Sequence, residues 1–170
     1  VRAEHRGDYS RGEEALTGAL EALTPHGAAE DMAEAHLLLA DVYWRAGDRR
    51  RMLEHVEQGV SLLRDAVPSP QKAFVICEAS RLLMLTSRYS EAIALGREAL
   101  AMTEASGLDE LYADVLDTVG TARGMLGEAG GIEDIERAIE LGRAGGYGNV
   151  VVRGTVNAAA ILWNLADVLR

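Results

Sequence analysis

The stretch Gly131-Ile132-Glu133-Asp134-Ile135-Glu136-Arg137-Ala138-Ile139 sets Gly131, Ile135, Ala138 and Ile139 at helical spacing along one face. The same four-position face occurs three times upstream: as Ala92, Gly96, Ala99 and Leu100, as Met52, Val56, Gly59 and Val60, and as Gly12, Leu16, Ala19 and Leu20. Counted from the first copy, the steps are 40, 40 and 39 residues. A helical pattern returning at this interval marks stacked helical hairpins, because one hairpin cannot bury its apolar face alone and a neighbour completes it. The chain is therefore predicted to be all-α, a right-handed α-solenoid superhelix of about four antiparallel hairpins with a period near 40 residues.

Start and stop signals organise 1–170 as one repeat domain, with hairpins at about 1–27, 28–68, 69–107 and 108–146 and a lone helix at 147–170. In the first, a helix tail to Arg6 and a turn at Gly7-Asp8-Tyr9 lead to a capping box, Ser10 to Glu13, and a helix ending near Leu23 before Pro25-His26-Gly27. The second pairs helices over 31–46 and 49–66 across Gly47-Asp48. Ser69-Pro70, an N-cap followed by a first-turn proline, opens a helix to 86, and its partner runs from 90 to a stop at Gly107. The fourth pairs 109–126 with 132–144 across Gly127-Glu128-Ala129-Gly130-Gly131 and ends at Gly145-Gly146. The last helix, 149–169, is a first helix without its second, and the chain opens on Val1 rather than methionine; both features read as a piece of a longer protein. Short side chains recur where helices must approach to about 8–10 Å. They are Ala40, Ser80, Gly120 and Ala159 on first helices, and Ala19, Gly59, Ala99 and Ala138 on second helices.

Composition bounds the function. Hydrophobic residues make up 48% of the chain, enough for a core without metal or disulfide staples, and Cys77 stands alone. With no signal peptide and no apolar run of membrane-spanning length, the expected location is cytoplasmic. The net charge of −10, from 27 acidic against 17 basic residues, repels nucleic acid and anionic lipid, so neither is expected as a direct partner. Lys72 is the only lysine, a bias that with abundant Ala and Gly fits a GC-rich genome.

Leu39-Ala40 with Tyr43, and Ala92 with Ala99, resemble the tetratricopeptide repeat, in which such groups mark the first and second helix of a hairpin. The resemblance covers the whole chain with two departures. The period is about six residues longer than the standard repeat, and the consensus tryptophan and closing proline are mostly absent, with Gly96 in place of the usual aromatic. The stretches Gly130 to Leu141 and Arg153 to Leu162 are similar to helical regions of large bacterial ATPase-type transcriptional regulators and cyclase-linked signalling proteins. In such a protein no residue of this stretch would bind ATP.

Catalytic and cofactor motifs are absent from the sequence. His5, His26, His36 and His55 lie on separate predicted elements without metal-ligand spacing, and His36 is expected in hairpin packing. Glu13-Glu14, Asp109-Glu110 and Glu133-Asp134 fall in predicted first turns, where the helix dipole favours negative charge. The glycine-rich turns lack the lysine and hydroxyl of a phosphate loop, and no strand precedes them. No enzyme activity, cofactor or metal is predicted, and Cys77 is expected to be buried or half-buried.

The tetratricopeptide resemblance implies that first helices line a concave face. Counting by offset from the small residues places Leu37, Asp41, Trp44 and Arg45, then Phe74, Cys77, Arg81 and Met84, on that face. The later helices add Asp114, Asp117, Thr121 and Met125, then Arg153, Val156, Trp163 and Asn164. Aromatic and Met groups beside Arg and Asp suit an amphipathic or extended peptide, while the alternative for Trp44, Phe74 and Met84 is packing between neighbouring hairpins, the usual place of aromatic stripes at helical spacing. The expected role is a non-enzymatic scaffold or sensor region of a bacterial regulator that binds a protein or peptide. The alternative is self-association, a homodimer through exposed terminal helices, with Ile161, Leu162, Leu165, Val168 and Leu169 seeking a partner.

Overall fold

A computed structural model describes residues 2–128 and 130–168, and the described backbone is helical without strands. The helices are α1 (Arg2–Leu23), α2 (Ala29–Ala46), α3 (Arg49–Leu62), α4 (Pro70–Leu85), α5 (Tyr89–Ser106), α6 (Asp109–Met125), α7 (Gly130–Gly145) and α8 (Gly148–Val168). The punctuation follows local chemistry. Gly47 and Gly107 take φ of +80° and +63°, conformations that side chains with a Cβ resist, and so end α2 and α5. Asp48 and Ser69 accept the backbone N–H of Arg51 and Lys72 and so start α3 and α4.

Three hairpins, α2–α3, α4–α5 and α6–α7, stack so that each second helix also packs on the next first helix. Successive first helices α2, α4, α6 and α8 touch one another, whereas successive second helices make at most marginal contact. The first helices therefore form the tighter inner row of an α-solenoid. The core follows this stacking: Leu37, Leu39, Met52 and Leu82 fill the space from α2 to α4, Ile76, Cys77, Ala99 and Val115 continue it to α6, and Ala113, Leu116, Ala138 and Val150 carry it to α8. At Gly120 an added Cβ would lie 2.8 Å from the Gly131 carbonyl oxygen, so α6 and α7 meet backbone to backbone.

Four expectations are corrected. Gly7-Asp8-Tyr9 is helical, α1 runs unbroken through Ser10, and neither the turn nor the capping box forms. Continued helical hydrogen bonding satisfies the backbone there instead. Glu13 consequently sits within a helix, where it accepts from Tyr43 Oη at 2.7 Å and Arg51 Nη1 at 3.2 Å. Helix α3 stops at Leu62 rather than 66, because the sole lysine turns inward: Lys72 Nζ donates to the carbonyls of Ala66 at 2.9 Å and Arg64 at 3.4 Å. Those carbonyls thus find a charged donor in place of helical partners. Helix α7 begins at Gly130, since two glycines entering the helix permit its contact with α6; Ala129 lies outside the described residues.

Candidate functional site

The inner row opens into a cleft of about 350 Å³ lined by Leu37, Leu38 and Asp41 with Arg45 of α2, Phe74, Glu78 and Arg81 of α4, and Arg153 of α8. Leu37, Leu38 and Phe74 give it an apolar floor, and charges surround them. Arg81 Nη2 lies 3.0 Å from Asp41 Oδ1 and 2.7 Å from Glu78 Oε2, while Arg45 Nε lies 2.6 Å from Asp41 Oδ2. Burial alone would raise the pKa of Asp41, but the hydrogen bonds and charges of Arg45 and Arg81 outweigh it and hold the carboxyl below its ordinary value.

A second charged rung joins α6 to α8. Arg153 Nε lies 2.8 Å from Asp117 Oδ2, its Nη2 lies 2.6 Å from Asp114 Oδ1, and Asn157 Nδ2 donates to Asp117 Oδ2 at 2.9 Å. Asp117 is fully buried, and its Oδ1, like Thr121 Oγ1, has no hydrogen-bond partner among the described residues. Burial raises the Asp117 pKa, and the opposing pull of Arg153 does not reverse it. Both arginines spend Nε and Nη2 on these carboxylates, and the remaining Nη1 donors make no hydrogen bond among the described residues. A guanidinium so fixed presents an oriented donor to a ligand acceptor with little left to order.

The structure brings Leu37, Asp41, Arg45, Phe74, Arg81 and Arg153 to one cleft, and Asp114 and Asp117 orient the last of these. Other expected groove positions lie elsewhere. Cys77, Met84 and Thr121 are buried between helices, and burial pushes the Cys77 thiol pKa up. Trp44 is half-buried against the first core cluster. Trp163, Val156 and Met125 are exposed, and Asn164 Nδ2 meets Met125 Sδ at 3.4 Å away from the cleft. Two lining residues escaped the sequence reading, Leu38 and Glu78. The signal for these contacts was the period itself, since the Asp41–Arg81 ion pair and the Asn157–Asp117 hydrogen bond each span 40 residues and the Asp114–Arg153 ion pair spans 39.

A histidine pair was also missed. His36 Nδ1 and His55 Nδ1 lie 2.8 Å apart across α2 and α3, with Tyr43 stacked on His55 at 5.3 Å between ring centroids. The two positions lie on either side of the Gly47 turn, on the two antiparallel helices that it joins. Among the described residues no group of three or more His, Cys, Asp or Glu is placed to hold a metal ion. None of the described helices is long and apolar enough to cross a membrane.

No family model matches the chain, and no curated protein does. Two crystal structures of a Podosopora anserina protein described as a kinesin light chain with nearly identical tetratricopeptide-like repeats are similar to it. One, a single-substitution form, is 15% identical with a TM-score of 0.64, covering 98% of this chain and 94% of that one. The other is 14% identical with a TM-score of 0.57, covering 97% and 98%. At such identity the likeness is one of fold, and it establishes this chain as a tetratricopeptide-like helical repeat array.

Proposed function

We propose that this chain is a non-catalytic interaction module that binds a protein or peptide along the inner row of first helices. Tetratricopeptide-like repeats generally serve as protein-interaction scaffolds, so a protein partner is the reading the fold favours. The observation that carries the rest is the cleft, where an apolar floor of Leu37, Leu38 and Phe74 sits under arginines held in place by the half-buried carboxylates of Asp41, Glu78 and Asp114 and the buried one of Asp117. Apolar anchors with oriented charges suit an extended segment that places one apolar side chain on the floor and hydrogen-bond acceptors near the guanidinium groups. We place the module in a cytoplasmic bacterial regulator, where occupancy of the groove biases the activity of the parent protein.

Selection of random twelve-residue peptides displayed on phage tests this reading. Binders should lose at least about tenfold in affinity, or about 1.4 kcal/mol, on Phe74→Ala and on Arg81→Glu, and keep it on the exposed control Arg137→Glu. Peptides indifferent to Phe74 and Arg81 would place recognition elsewhere.

A second reading, self-association through the terminal helices, is favoured by exposed apolar side chains on α8. Val152, Val156, Leu162 and Trp163 are 66, 62, 56 and 77% exposed. Of the partner-seeking set expected from the sequence, Ile161 is instead buried against α6, where it contacts Gly124; the side chains of Leu165 and Val168, and Leu169, lie outside the described residues.

A further inference from the structure

We infer that the cleft takes a basic extended peptide, with an apolar side chain on the floor, main-chain carbonyls at the free donors of Arg81 and Arg153, and a lysine or arginine at Glu78. The inference rests on the groove-binding reading and names the chemistry of its ligand.

The charges of the cleft decide the sign of the partner. Each guanidinium is already matched: Arg81 lies between Asp41 and Glu78, Arg153 between Asp114 and Asp117, and Arg45 shares Asp41. Three arginines thus face four carboxylates. Protonation of Asp117, which burial favours, would only make the two counts level. An incoming carboxylate therefore finds no uncompensated cation, and it approaches a chain whose net charge is −10. The Nη1 donors of Arg81 and Arg153 remain, and they suit a neutral acceptor. A peptide carbonyl is one, and every residue of an extended segment carries it.

On the acidic side the cleft leaves Glu78 Oε1 unused. Arg81 Nε and Nη2 both donate to Oε2, at 3.0 and 2.7 Å, and Oε1 accepts no hydrogen bond among the described residues. Asp41 differs, since its Oδ1 accepts from Arg81 and its Oδ2 from Arg45. The free oxygen belongs to a half-buried side chain, where a charge-assisted hydrogen bond is screened less than on the open surface. Phe74 stands one helical turn before Glu78 on α4, so the ring and the carboxylate share one face. A lysine or arginine can lay its aliphatic stem along Phe74 and bring its cationic head to Glu78. Leu37 and Asp41 repeat the apolar-to-acidic order on α2. Both helices thus offer an apolar group followed by an acidic one, a pattern matched by a segment with neighbouring apolar and basic side chains.

Phage-selected peptides that lose affinity on Phe74→Ala are the probe. They should carry a lysine or arginine beside an apolar residue, and replacing that basic residue by glutamine should weaken binding about tenfold. Glu78→Gln, which keeps an oxygen for Arg81, should weaken the parent peptide to the same degree and leave the glutamine-substituted peptide unaffected. The exposed control Glu136→Gln on α7 should change the affinity less than about twofold, and raising salt from about 0.05 to about 0.5 M should weaken it. The substitution in the peptide is read on the wild-type chain, so it tests the inference even where Glu78→Gln unfolds. Selected peptides that are acidic, that lose nothing with their basic residue, or that bind Glu78→Gln more tightly overturn the inference while leaving the groove standing. So do basic peptides that lose as much on Glu136→Gln as on Glu78→Gln, because general attraction to an acidic chain then explains them. Selection that yields no Phe74-dependent peptide overturns the groove reading itself, and this inference with it.

Discussion

At 2.8 Å the Nδ1 atoms of His36 and His55 share one hydrogen, so one ring donates and the other accepts. A second proton would set two like charges against each other in a half-buried site. Burial lowers both pKa values; His55 further lowers that of His36, while at His55 the carboxylates of Glu54 and Glu13 raise and Arg51 lowers. An unfolded histidine protonates near pH 6.5, so below that pH the unfolded chain binds more protons than the folded one. The pair's neutral arrangement costs nothing above that pH, and stability is lost as pH falls through it. Burial raises the pKa values of Asp114 and Asp117, whose protonation works in the opposite direction and at lower pH. The melting temperature should therefore fall between about pH 7.5 and 5.5, by roughly 2–4 °C for each kcal/mol. Replacing both histidines with glutamine should flatten that fall, and an unchanged slope in the double variant would show that the pair does not drive it.

Between elements, one substitution should change sign with its neighbours. Alanine at Gly18 in α1 meets nothing within 4 Å, so its better helix propensity should stabilise the chain by about 0.5–1 kcal/mol. Alanine at Gly120 gains the same propensity but meets the Gly131 backbone at 2.8 Å, and should cost about 1–3 kcal/mol as α6 and α7 are forced apart. Urea denaturation of the two variants checks both signs, and equal effects would remove the close backbone contact as a cause. This contrast explains what was legible beforehand. Small residues returning every 39 or 40 positions mark helix contacts, and the helix limits at Gly47, Ser69 and Gly107 follow from local backbone chemistry that sequence displays. The end of α3 was not legible, because it depends on Lys72 reaching back to Arg64 and Ala66, a tertiary choice. The cleft was legible by half. Register identifies a face, but whether Cys77 points into solvent or between helices depends on how tightly α4 and α6 approach, and that distance is set by side chains on both.

At the scale of the whole molecule, nearest-neighbour packing makes stability uneven along the chain. Helices α4 and α6 are packed on both sides, each touching the first helix before it and the first helix after it. Among the described residues helix α1 packs mainly on α2, with a short turn at Thr24–His26 and a single ion pair from Glu13 to Arg51 of α3 besides, and its small residues Gly18 and Ala19 face solvent. In a solenoid the free energy of opening a unit is roughly its own stability plus the interfaces it must break, so a unit with one interface opens well before a unit with several. Fully buried Val75 and Leu82 in α4, and Val115 in α6, can be exposed only by breaking contacts with the helices on either side. Native-state hydrogen exchange should therefore rank the helices. Amides in α4 and α6 should open with a free energy close to that of global unfolding, and those in α1 at least about 2 kcal/mol lower, roughly a thirtyfold faster exchange. Equal opening energies for α1 and α4 would mean that the hairpins unfold as one cooperative body, and the nearest-neighbour account would fail.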